Sequence, residues 1–365
     1  MGTANRESAA EDDIDTELGE EYYKADKALE EKLTQEIIDI IDHFVTRRFE
    51  EGRRPALRDA HASESGCARA IFRVDSDLDP ALRHGIFQPG QEYQAWIRFS
   101  NGNSEVLSGR VPDARGMAIK LVGVPGRKLL EDESHTQDFI LANNPVFFID
   151  DLQRYRDTLV VFHSGGYLKQ IFALPKLRGR EIPLSIKVNF SLIINPLFSQ
   201  YWSMTPYRLG TRSGPKIAVK YFAKPRLATP PTFFAKWRKY LSADFSLKRE
   251  MNHTLSGNEM RFDFYIQRYV DQRTPIEDSK VEWSEDVSNP EHVATIVIPM
   301  QNCISPELDF FCENLSLNPW HSLPEHKPLG LVNRARKAIY FRISELRHRL
   351  NQTALQEPTG SEKFD

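Results

Sequence analysis

Four short segments of the chain gather side chains able to do acid–base, amide and cation chemistry. The first is Arg58-Asp59-Ala60-His61-Ala62. The second joins Ile97-Arg98-Phe99-Ser100 to Asp113-Ala114-Arg115-Gly116. The third runs from Phe139 through Asn143-Asn144-Pro145 to Phe147-Phe148, and the fourth is Asn333-Arg334-Ala335-Arg336, ending at Tyr340. Arg336 and Tyr340 stand four apart, so on a helix they share one face. His61 offers an imidazole for proton transfer near neutral pH. Taken singly, each has a plain structural alternative: a core tyrosine beside a surface arginine, a satisfied histidine, an Asn-Asn-Pro turn. Motifs for other chemistries are missing, among them GxxxxGK[ST], GxGxxG, HExxH and GxSxG. His321 and His326 flank a proline with no cysteine nearby, which reads as a loop with ordinary histidines rather than a metal site.

The elements that must position these residues follow from patterning. Across 365 residues, 40% are hydrophobic and 11% aromatic, which is ample material for a core. The 48 basic and 51 acidic residues leave a net charge of −3, which argues against a dedicated nucleic-acid binder. Residues 1–21 are strongly acidic and read as a flexible tail. Residues 22–52 carry an amphipathic helix, with Leu33, Ile37, Ile41, Phe44 and Val45 on one face. Nothing in its charge pattern demands a membrane contact. Strand patterns appear at Ala70–Val74, Tyr93–Phe99, Gly116–Val122, Lys216–Phe222, Arg261–Gln267 and His292–Ile298. Residues 150–205 and 230–250 look more helical or irregular. A final helix is expected from about Gly330 through Leu350, with basic residues in its last turns. Residues 351–365 read as a loose polar tail. Three cysteines, Cys67, Cys303 and Cys312, form no CxxC and argue against a disulfide framework. With no apolar run long enough to span a bilayer and an acidic start, a soluble cytoplasmic protein is expected. The fold class expected is α+β: one antiparallel β-barrel domain over residues 53–350 with flanking α-helices.

The order and content of the four segments together resemble the catalase superfamily, over about residues 55–350. The chain is most similar to the small catalase-related haemoproteins that metabolise organic or fatty-acid hydroperoxides, among them allene-oxide-synthase-like enzymes and minimal catalase peroxidases. The resemblance implies a haem b cofactor with Tyr340 as the proximal iron ligand; tyrosinate ligation is the mode the general chemistry of haem proteins assigns to catalase. A phenol, ordinarily protonated up to about pH 10, must then be held as phenolate, and Arg336 is placed to stabilise that charge. His61 matches the distal histidine, which takes a proton from the inner peroxide oxygen and returns it to the outer one. Ser100 lies where the family fixes the tautomer of that imidazole. Asn143 matches the distal amide, with Asn144 as the alternative because the stretch before Phe147 is one residue short. Arg58, Arg98 and Arg347 match the arginines that grip the haem propionates, and Tyr155 matches an aromatic set against the haem.

The resemblance leaves the reaction open. His61 is followed by Ala62-Ser63-Glu64-Ser65-Gly66 instead of the usual His-Ala-Lys-Gly run, and Ala60 stands where large catalases carry a valine. A smaller residue there opens the distal pocket, which favours an organic or fatty-acyl hydroperoxide handled by peroxidase or isomerase/dehydratase chemistry. Hydrogen peroxide dismutation and a non-catalytic haem-binding or sensor role are the alternatives. The apolar segments Phe190–Phe198 and Tyr201–Tyr207 fit either an acyl channel or plain core packing. Oligomeric state is left open.

Overall fold

The computed structural model describes residues 14–364, except 105, 107, 112, 148, 164–192 and 228–231. Nine antiparallel strands follow in chain order: β1 Glu64–Val74, β2 Glu92–Asn101, β3 Arg115–Val122, β4 Thr136–Ala142, β5 Tyr201–Trp202, β6 Tyr207–Gly210, β7 Lys216–Pro225, β8 Met260–Arg268 and β9 Glu291–Ile298. Eight of them close a ring in the order β1-β2-β3-β4-β5-β7-β8-β9, and β6 pairs with the first residues of β7, while β5 pairs farther along that strand. Closure runs through two residues only, Tyr201 opposite Ala223 and Trp202 opposite Phe222. A closed ring leaves no unpaired edge to seed association.

Side chains of alternate strand residues fill the barrel. Phe72, Phe139, Tyr221 and Phe264 meet edge to face, with the Phe72–Phe264 and Phe139–Tyr221 centroids each 5.1 Å apart. Leu197, Tyr201 and Tyr207 belong to this core. The described part of the candidate acyl channel is therefore core packing; residues 190–192 lie outside the described residues, as do Phe148 and residues 1–13 of the expected tail. With its interior filled, the barrel has to present chemistry at its rim.

Six α-helices are described: α1 Lys27–Glu50, α2 Leu152–His163, α3 Phe233–Tyr240, α4 Leu247–Leu255, α5 Pro306–Asn314 and α6 Leu331–Asn351. The Asp26 carboxylate caps α1 by accepting from the Leu29 amide at 3.0 Å. Its predicted apolar face packs Ile37, Ile41 and Phe44 against Ile339, Ile343 and Leu346 of α6 and Leu159 of α2, making a second core beside the barrel. No helix among the described residues is long and apolar enough to cross a membrane.

Three expectations are corrected. Residues 14–21 are docked rather than loose: Asp15 accepts from Lys216 at 3.0 Å and Arg208 at 3.3 Å, and Glu20 accepts from Arg334 at 2.9 Å. Composition of the segment alone hides cations supplied by distant elements. The C-terminal residues are tied down likewise, with Glu357 accepting from the Ser134 amide at 3.0 Å and Phe364 packed on Trp96. Finally, Cys67 of β1 and Cys312 of α5 form a disulfide across a sequence separation of 245. An odd cysteine count with no local spacing carries no signal for such a pair, and Cys303 is the buried free thiol.

Candidate active site

Ser100 is the second-last residue of β2, and Gly116, the second of β3, lies directly opposite it. The His61 ring lies over this pair, with Nδ1 3.0 Å from Ser100 Oγ. Gly116 is what makes room. A β-carbon there would sit 2.6 Å from His61 Nδ1 and 2.7 Å from Ser100 Oγ, closer than real contacts allow. The His61 backbone is itself unusual, with φ at +57°, in the left-handed region that branched and bulky residues avoid. It is held there by its amide donating to Gly102 O at 3.1 Å and its carbonyl accepting from Arg98 Nη2 at 3.0 Å. Strain secured from both sides marks a position whose geometry matters. Burial, then the charges of Arg98, Arg336 and Arg58, push the imidazole down to about 3. His61 is thus neutral across ordinary pH, and with Nδ1 engaged by the Ser100 hydroxyl its Nε2 is the ring nitrogen left uncommitted among the described residues.

Asn143 follows the end of β4. Its Oδ1 accepts from the Arg115 amide at 2.6 Å and its own amide donates to Arg115 O at 2.9 Å, so Nδ2 is the amide's available donor. Asn144 is buried and spends its Nδ2 on Val146 O at 2.6 Å. Of the two asparagines, only Asn143 combines a fixed side chain with a donor not committed among the described residues.

Arg336 and Tyr340 sit on α6 as the spacing predicts. Nε and Nη2 of the guanidinium both donate to Tyr340 Oη, at 3.2 and 3.1 Å, and Nη1 donates to Asn333 Oδ1 at 3.3 Å. Burial alone would lower the Arg336 pKa, but the phenol oxygens of Tyr340 and Tyr207 raise it. Tyr155 of α2 meets Phe147 edge-on at 6.2 Å. Its hydroxyl is pushed up by burial and by the charges of Asp59 and Tyr340, against the pull of Arg336.

Arg58, Arg98 and Arg347 converge from the approach to β1, from β2 and from α6. Sequence reasoning missed what joins them. Glu313 near the end of α5 accepts from Arg58 Nη1 and Arg347 Nη2 at 2.7 Å each and from Arg98 Nη2 at 3.2 Å. Burial would raise its carboxyl, yet Arg58, Arg347 and Arg98 hold it below the ordinary carboxylate range. Arg58 in turn is lowered well below its usual value by burial and by its two like-charged neighbours. One carboxylate against three guanidiniums leaves two positive charges, and Nε of both Arg98 and Arg347 is buried without a hydrogen-bond partner. A dicarboxylate ligand would neutralise that surplus, so the donor set fits the two propionates of a haem. Tyr207 was missed as well: its buried hydroxyl is pushed up to about 12 by burial, against the pull of the nearby Arg336 charge and of Thr205.

A separate cluster behaves differently. Glu133, Asp138 and His321 converge closely enough to ligate a cation. The Lys120 ammonium already lies among them, 2.9 Å from Asp138 and in contact with Glu133, so the chain supplies its own cation there. His326 is structural too, its Nε2 accepting from the Ile86 amide at 3.1 Å. Both histidines thus hold loops to the barrel.

By sequence, the chain matches no family model and no curated protein. Its structure is similar to solved catalases. A fungal catalase matches with a TM-score of 0.65 at 16% identity, over 87% of this chain and 65% of that one. Catalase A from Saccharomyces cerevisiae matches at 0.65 and 19%, over 88% and 67%, and a bacterial catalase at 0.61 and 18%, over 84% and 60%. The chain spans about two thirds of the length of these proteins. At such identities the likeness is one of fold alone: the chain has a catalase-like fold, an α+β architecture on a closed antiparallel barrel.

Proposed function

We propose that the protein is a haem-dependent oxidoreductase or isomerase acting on organic hydroperoxides. The observation that carries this reading is the double grip of Arg336 on Tyr340 Oη, a phenol oxygen presented with its compensating cation already in place. Tyr340 would hold the iron of haem b, Arg58, Arg98 and Arg347 would pair with its propionates, and Tyr155 would flank it. Bound there, haem would supply the redox chemistry of O–O bond cleavage.

The rest falls to side chains of the chain itself. His61 Nε2 accepts the proton of the hydroperoxide and can return it to the departing oxygen, since its neutral form persists far below neutral pH. Ser100 fixes the ring, and Asn143 Nδ2 donates a hydrogen bond to a peroxide oxygen. A distal acid–base pair of this kind is needed by an enzyme and not by a haem carrier. Ala60, small and exposed, leaves the approach to His61 open, which supports a bulky organic or fatty-acyl hydroperoxide. The second reading is hydrogen peroxide dismutation, favoured by the fact that the matched structures are catalases.

The two readings separate on turnover of cumene and linoleate hydroperoxides set against oxygen evolution from hydrogen peroxide, each with haem-loaded protein. Organic turnover well above oxygen evolution is expected. Fast oxygen evolution with no organic turnover would replace the first reading by the second.

A further inference from the structure

An arginine side chain is long and rotatable, so a guanidinium that donates twice to one oxygen has to be aimed by its third nitrogen. In Arg336 that nitrogen is Nη1, which donates to Asn333 Oδ1 at 3.3 Å. Asn333 lies three residues earlier, in the first turn of α6, and is fully buried.

Its amide is fixed on both sides. Nδ2 donates to Pro206 O at 2.9 Å and to Leu329 O at 3.1 Å, while Oδ1 accepts from Arg336 and from Thr205 Oγ1 at 3.0 Å. Two carbonyls on one side and two donors on the other allow a single orientation, since a flip would set each group against its own kind. The Asn333 carbonyl is pinned as well, accepting from Trp320 Nε1 at 2.7 Å. Thr205 and Pro206 lead into β6, and Trp320 belongs to the loop between α5 and α6. The barrel wall and that loop together hold this one side chain.

Charge is the second observation. Among the described residues Arg336 hydrogen-bonds with Tyr340 and Asn333 alone and forms no ion pair. Arg334, two residues away, is instead clasped by Glu20, Glu30 and Glu277. A carboxylate at the place of the Asn333 amide would share the Arg336 charge; a neutral oxygen gives direction without neutralising it.

We propose that Asn333 is a positioning residue for the proximal site, its neutral amide oxygen aiming Arg336 at Tyr340 Oη and leaving the guanidinium charge undivided for that oxygen. Partners of this kind, one step behind a metal ligand, orient the ligand and set its donor strength. The inference rests on Tyr340 being the iron ligand.

The test compares haem-loaded Asn333→Leu, Asn333→Asp, Thr205→Val and Thr205→Ser with wild type and with Tyr340→Phe. Each is read for Tm, for the rate of haem transfer to excess apomyoglobin and for the ferric–ferrous midpoint potential. Leucine keeps the bulk of Asn333 and removes its bond to the guanidinium, which should speed haem loss about tenfold or more. With Arg336 free to turn, the Tyr340 oxygen gives more of its charge to iron, so the midpoint should fall. Aspartate, by sharing the guanidinium charge, should lower it too. Thr205→Val should move both readings the same way by less, and Thr205→Ser, which keeps the hydroxyl, should match wild type. A lowered Tm with unchanged haem loss and midpoint would leave Asn333 a packing role only and overturn the proposal. If the Asn333 variants fail to fold, the Thr205 pair decides: valine and serine variants equal in haem loss and midpoint overturn it. Haem held by Tyr340→Phe as firmly as by wild type overturns it at its premise, a failure of the ligand assignment that the other variants would not produce.

Discussion

Replacing Glu313 by glutamine tests the charge arithmetic of the site. The carboxylate touches Arg58 and Arg347 at 2.7 Å and Arg98 at 3.2 Å, and the Arg98 and Arg347 side chains are almost wholly buried. Glutamine keeps the shape and one acceptor but leaves three guanidinium charges facing one another. Removing one partner of a buried ion pair costs about 3–5 kcal/mol. Because Glu313 and Arg58 keep some solvent contact, we take the lower end, ~3 kcal/mol. With an unfolding entropy of about 2.1 cal/mol/K per residue, a chain of 365 residues converts this into a fall in Tm of roughly 4 °C. Haem loading should shrink the deficit, because two propionates would supply the missing negative charge. The assay is differential scanning calorimetry of both proteins with and without haem. Glu345→Gln is the control, since the Glu345–Arg342 contact is exposed and 3.8 Å long. An unchanged Tm in the haem-free variant would refute the buried cluster. A deficit that haem leaves untouched would refute the assignment of these arginines to the propionates.

Other outcomes follow from the same geometry. Gly116→Ala should displace the His61 ring and lower peroxide turnover by roughly 10²–10⁴-fold, with haem uptake retained; turnover within twofold of wild type would contradict the packing. The acid limb of turnover should lie near pH 3–4 rather than near 6.5, because burial and three arginines push the His61 imidazole down to about 3; a midpoint at 6.5 would show an exposed ring. His321 is pushed the other way, to about 9: burial and Lys120 lower it, but Asp138 and Asp132 prevail. A raised pKa contributes stability that is full below pH 6.5 and is lost as pH rises through about 9. Wild type should therefore lose on the order of 3 kcal/mol across that window, and His321→Gln should lose little of it, read from denaturant midpoints at each pH.

The features legible in sequence were those that repeat along the chain. Strict periodicity placed α6 to within one residue at each end and the end of α1 to within two, with the start of α1 expected five residues early, and apolar alternation marked six of the nine strands. The pair Arg336 and Tyr340 was legible because helix geometry converts a spacing of four into a contact. What closes the barrel was not, since β5 is two residues long and no pattern can form in so short a span. Glu313 was invisible for another reason: its partners lie 34, 215 and 255 residues away, and an isolated glutamate on an amphipathic helix has no signature. The disulfide and the docking of residues 14–21 are long-range in the same way. Gly116 was quoted within a motif without a role, because its function is the absence of a side chain beneath a histidine from another segment. The different hydrogen bonds of Asn143 and Asn144 depend on backbone partners that sequence does not carry.

The most direct measurement of the central claim is an absorption titration of the purified protein and its Tyr340→Phe variant with haem. The account predicts a saturable Soret band at one haem per chain, with the high-spin ferric features of tyrosinate ligation, and weak or absent uptake by the variant. Equal loading and identical spectra in the two proteins, or no uptake by wild type, would contradict it.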